Sequence, residues 1–78
     1  MKVQEVNQSI IGRKVKGIFT AMAVTGTITE ISEDEYSVSV CIALDKPVQW
    51  GDEEHKKYWS SARKSDGWGN LEHTEFID

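Results

Sequence analysis

Hydrophobic and polar positions alternate most strictly between Tyr36 and Leu44. Tyr36, Val38, Val40, Ile42 and Leu44 fall on one face, and Ser37, Ser39, Cys41 and Ala43 on the other. Successive strand side chains point to opposite faces, so this run predicts a strand with one buried side. Other segments carry the same period less cleanly. Arg13 to Phe19 sets Lys14 and Lys16 against Val15 and Gly17 and reads as a first strand. Thr20-Ala21-Met22-Ala23 is an apolar connector. Thr25 to Ser32 is rich in β-branched residues, with Gly26 at a bend or bulge. Glu33-Asp34-Glu35 makes a tight turn.

Asp45-Lys46-Pro47 is expected to end the central strand, because proline donates nothing to a ladder. Val48 to Glu54 then forms a loop around Trp50-Gly51. Lys56 to Lys64 is expected as a fourth strand, with a helical turn over Glu53–Ala62 as the alternative. Ser65-Asp66-Gly67 is a turn, and Leu71 to Ile77 a last strand. Residues 1–11 read as a loosely ordered arm or a short helix ending at Gly12. The expected architecture is all-β, a five-stranded antiparallel SH3-like barrel filling residues 1–78 as one domain.

Composition bounds the chemistry. A chain of 78 residues builds one core with a thin stability margin. Cys41 stands alone, so no internal disulfide staples the fold. Trp50, Trp59 and Trp68 are a large aromatic allotment for this length, and self-association is the other common remedy for a small core. No stretch approaches the ~20 apolar residues of a membrane span. A free cysteine with no apolar leader indicates a reducing, cytoplasmic compartment.

Charge is banded. Residues 1–31 hold Lys2, Arg13, Lys14 and Lys16 against Glu5 and Glu30, whereas residues 32–55 hold seven acidic side chains against Lys46 alone. Lys56, Lys57, Arg63 and Lys64 follow as a basic patch. The formal net charge of −4 disfavours non-specific binding to phosphate backbones.

No cofactor, metal or catalytic constellation emerges. Asp52-Glu53-Glu54-His55 is the most metal-like segment, but adjacent carboxylates along a strand or loop do not converge on one cation. Cys41 lies mid-strand among small residues, the setting of a buried filler rather than a nucleophile. His55 and His73 sit among charges with no orienting partner in sequence. Catalysis by an isolated subunit is not expected.

Two resemblances bear on function. Ile11-Gly12-Arg13-Lys14-Val15-Lys16-Gly17 and Gly26-Thr27-Ile28 resemble the start of KOW and Tudor SH3-like barrels, which implies a small binding fold. KOW modules usually carry more basic residues on the second strand, where this chain has Thr25, Thr27 and Thr29. Val48-Gln49-Trp50 resembles the first two positions of the Val-Gln-Ile-Tyr strand of type II dihydrofolate reductases, small barrels that form one active pore from four chains. It departs at the aromatic, and the other motif residues of that family are missing.

Three partner surfaces follow. Trp50, Tyr58, Trp59 and Trp68 with Asp52 and Glu53 make an acidic, aromatic surface suited to a protein or peptide partner, or to a second copy of the chain. Lys14, Lys16, Lys56, Lys57, Arg63 and Lys64 make the alternative, a basic face for nucleic acid with Tyr58 and Trp59 as stacking rings. The small-residue face Ser37, Ser39, Cys41 and Ala43 is expected to be covered by Trp-bearing loops or by another subunit. Trp50-Gly51-Asp52-x-Glu and Trp68-Gly69-Asn70-x-Glu echo each other as two turns, each capped by a tryptophan ring.

Overall fold

In the computed structural model, which describes residues 1–78, the alternation around Val40 forms an inner strand of a single antiparallel sheet. Five strands compose it: β1 (Lys14–Phe19), β2 (Met22–Glu33), β3 (Ser37–Trp50), β4 (Glu53–Arg63) and β5 (Glu75–Phe76). Their order is β4-β3-β2-β1-β5. The first four strands form a meander, and the chain then crosses back to lay β5 against β1. The sheet stays open, because no ladder joins β4 to β5. Beyond its pairing with β3, the end of β4 is tied to the chain that follows it: the Ser61 N–H donates to Asn70 Oδ1 at 2.7 Å, the Arg63 N–H to the Trp68 carbonyl at 2.9 Å, and Ser60 Oγ lies 3.0 Å from Thr74 Oγ1.

Val15, Ile28, Val38, Val40 and Ile42 are buried in one cluster with Ile10, Tyr58, Ala62 and Leu71. Phe19 and Leu44 pack against that cluster but keep partial exposure. Tyr36 departs from the pattern that put it on the core face. Asp34 Oδ1 accepts the backbone N–H groups of Tyr36 at 2.7 Å and Ser37 at 2.8 Å, so Tyr36 falls in the turn and is 75% exposed.

Strand β3 does not end at Pro47 but runs to Trp50. Its register with β4 shifts between Ala43 and Val48, and Pro47 lies in that irregular stretch, where no ladder N–H is required. Glu53–Arg63 is strand, not helical turn, with Tyr58, Ser60 and Ala62 facing inward. The expected last strand is mostly a 3₁₀ turn at Asn70–His73, and only Glu75–Phe76 pairs with β1.

The connector after β1 is a two-residue hairpin turn with Thr20 at φ 52° and Ala21 at φ 62°. Such turns favour Asn-Gly, and a β-branched Thr is an outlier in this region. Residues 1–11, read as a loose arm, carry 3₁₀ turns at Val3–Glu5 and Gln8–Ile10. Ile10 enters the core, while Met1, Val3 and Val6 pack against it. The terminal amino group donates to the carbonyls of Leu71 and Thr74.

Candidate functional site

The β2–β3 ladder stops at the Gly26–Leu44 rung. Beyond it Met22–Thr25 and Asp45–Val48 run on without pairing to each other, since β2 turns toward the β1 hairpin while β3 bulges. The parting strands enclose a groove of about 570 Å³, within the ~300–1,000 Å³ of ordinary ligand clefts. Met22, Ala23, Val24, Pro47 and Val48 make it apolar, and Lys16, Thr25, Asp45 and Lys46 rim it.

One end of the rim is pinned by Asp45, which accepts from Lys14 Nζ at 2.6 Å and from Thr25 Oγ1 at 2.8 Å. Both bonds favour the charged carboxylate, Lys14 most strongly, and hold its pKa below the usual range. Backbone N–H groups of Tyr36 and Ser37 do the same for Asp34, and the Arg13 guanidinium for Asp78. A carboxylate whose folded pKa is depressed stabilises fully above its unfolded pKa of about 3.9 and loses that contribution as pH falls through the folded value. The melting temperature is therefore expected to fall below about pH 4. Asp45→Asn should show a shallower acid decline than the parent, and an identical decline would show that Asp45 carries none of it. All three groups are exposed, so solvent screening keeps the effect modest.

The tips of both hairpins meet at this end of the molecule. Phe19 stacks on Tyr58 with centroids 4.8 Å apart and meets His55 edge-on at 5.3 Å. β3 passes from the groove wall at Val48 to Trp50 in two residues, and Trp50 is 60% exposed opposite Glu53. Gly51, at φ 61°, makes the turn.

The expected aromatic surface is thus only partly assembled. Trp50, Asp52 and Glu53 lie together at the β3–β4 tip. Tyr58 is buried in the core, and Trp59, its neighbour in the strand, faces the other side, directly opposite the buried Cys41. Trp68 stands at the far end of β4 by Arg63, 61% exposed. Gly51 and Gly69 both take positive φ, 61° and 139°, in their turns, but neither the Trp50 nor the Trp68 ring is folded down as the expected cap. On the small-residue face Cys41 is fully covered, and Ser37, Ser39 and Ala43 are partly so.

The basic set is divided as well. Lys14 bridges to Asp45, Lys16 to Glu75 at 3.4 Å, Arg63 to Asp66 at 3.1 Å and Lys64 to Glu33 at 2.5 Å. Lys56 and Lys57 make no ion pair, but as consecutive strand residues they point to opposite faces. In Val48-Gln49-Trp50, Val48 is buried, the Gln49 amide donates to the Gly51 carbonyl at 3.1 Å, and the segment is strand rather than loop.

Neither histidine lies near the buried Cys41 in the sheet register: His55 pairs with Val48, and His73 belongs to the 3₁₀ turn before β5. No group of three or more His, Cys, Asp or Glu side chains is placed to hold a metal ion, and no helix is long and apolar enough to cross a membrane. The groove residues Met22, Val24, Lys46 and Pro47 were not singled out by the sequence. Their one signal was a proline within a strand, which marks a bulge. A family model described as "Domain of unknown function (DUF7258)" matches residues 1–76. No curated protein and no solved structure matches the chain.

Proposed function

The chain belongs to this family, whose description names no activity, and from the residues themselves we propose that it is a non-catalytic binding module for a protein segment, engaged at the Trp50 end of the sheet. The observation that carries this reading is the apolar groove between the parting strands, open beside an exposed tryptophan and a carboxylate-rich tip. Unpaired strand edges and apolar side pockets are what extended polypeptides use for recognition. Trp50 supplies a large, rigid contact, and Asp52, Glu53 and Glu54 attract basic groups. An SH3-like kinship accords with the same reading. Its support is a four-stranded meander, a 3₁₀ turn and a fifth strand returning to the first. The setting we propose is cytoplasmic.

The test is fluorescence of a single-tryptophan form, Trp59→Phe/Trp68→Phe, titrated with extended peptides that alternate lysine with apolar residues. Trp50 emission should shift to the blue with saturable binding, weaken as salt rises, and lose the response in Asp52→Asn/Glu53→Gln. Peptides that leave the emission unchanged at every ionic strength would remove the proposal.

A further inference from the structure

The Trp50 end carries two surfaces of opposite character side by side. The hairpin tip presents Asp52, Glu53 and Glu54, whose only ionic neighbour is His55, 3.7 Å from Glu53. The adjoining groove is apolar within and rimmed by Lys16, which also pairs with Glu75 at 3.4 Å, and by Lys46, while its one carboxylate, Asp45, is already bound by Lys14. Lys46 makes no ion pair. A protruding acidic tip bearing an exposed tryptophan therefore sits next to a lysine-rimmed apolar cleft on the same chain.

We infer that this end is self-complementary and that the segment filling the groove is the Trp50 hairpin tip of a second copy. Two-fold symmetry pairs one patch with itself, so a tip and a groove placed side by side dock twice in one dimer. Trp50 of each copy enters the apolar cleft of the other, and Asp52 and Glu53 reach the partner's lysine rim. The contact also covers Met22, which is otherwise exposed in the groove wall. It adds buried apolar area to a chain too short to bury much alone. The inference rests on the binding-module reading and names the partner.

Sedimentation equilibrium of the full chain over a wide concentration range provides the test. The expected result is reversible association from 8.8 kDa to twice that mass, weakened by salt. Trp50→Ala and Lys46→Glu should each weaken dimerisation at least ~10-fold with circular dichroism and melting of the dilute monomer unchanged, because both side chains are exposed. Charge reversal distinguishes this pairing from any other dimer. Lys46→Glu alone and Asp52→Lys/Glu53→Lys alone should be monomeric, whereas their equimolar mixture should form a heterodimer, since each tip then meets a groove of opposite sign. A chain that stays monomeric at all concentrations, or a dimer indifferent to these substitutions, overturns the inference. A monomer that still binds lysine-rich peptides through Trp50 overturns self-pairing while leaving the binding module in place.

Discussion

Gly26→Ala is expected to cost about 3 kcal/mol, the upper end of what overpacking a core removes. A methyl group there would collide with the carbonyl oxygen of Ala43 and approach Ile42 Cγ2 to 2.6 Å and the Ala43 carbonyl carbon to 3.0 Å. Two of these three atoms are backbone, and β3 is fixed on its other side by β4, so no rotamer change relieves the clash. The only relief is to push β2 from β3 at the last rung before the groove. With ~0.05–0.15 kcal/mol of stability per residue, a domain this small has little margin for that loss. Urea unfolding should show a clearly lower midpoint with an unchanged slope. A loss under about 1 kcal/mol would mean that the strands approach less closely at Gly26 than described.

That close approach explains why the groove was hidden in the sequence. Gly26, expected at a bend or bulge, instead pairs in register with Val15 and Leu44, and the irregularity of β2 falls between Ile28 and Glu30. A glycine does not announce which strand lies against it or where the partner strand departs. The groove results from two remote irregularities, the turn at Thr20–Ala21 and the bulge through Pro47, that pull β2 and β3 apart. The only signal either carries is Pro47 itself. Thr-Ala is an unfavourable sequence for a turn with both residues at positive φ, and Pro47 read as the end of a strand because its tolerance inside a bulge depends on a partner that fails to pair.

What periodicity alone decides was readable. Val38, Val40 and Ile42 are buried together because a sheet with one covered face has no other register for them. Tyr36 escaped the rule because Asp34 captured its backbone N–H. The aromatic surface assembles only in part, for a different reason. Tyr58 and Trp59 are adjacent, and once Glu53–Arg63 is a strand they must face opposite sides, so no single surface can hold both. The strand expected over Lys56–Lys64 already carried this constraint, and grouping the two rings on one surface overlooked it. Trp50 and Trp68 share a sequence pattern, yet an eleven-residue strand lies between their turns and sets them at opposite ends.

The second large effect couples Gly17 to Tyr58. The Tyr58 hydroxyl is buried without a hydrogen-bond partner, and burial pushes its pKa above the usual phenol value. A methyl group on Gly17 would lie 2.5 Å from that oxygen and 3.3 Å from Thr74 Oγ1. The ring cannot easily swing aside, because Phe19 stacks on it at 4.8 Å. Thr74 Oγ1 is held too, 3.0 Å from Ser60 Oγ. Gly17→Ala is therefore expected to destabilise by roughly 2 kcal/mol, despite the few tenths regained by restricting the unfolded chain. Tyr58→Phe removes an oxygen that nothing solvates, so it should be neutral or slightly stabilising. The double substitution is the informative one. With the hydroxyl gone, the added methyl has room on that side, and only the 3.3 Å approach to Thr74 remains. Gly17→Ala/Tyr58→Phe should recover about half or more of the single-site loss, a coupling of ~1 kcal/mol. Chemical denaturation of the four chains measures the cycle directly. Strict additivity would show that the cost at Gly17 comes from the β1 backbone itself and not from the tyrosine beneath it.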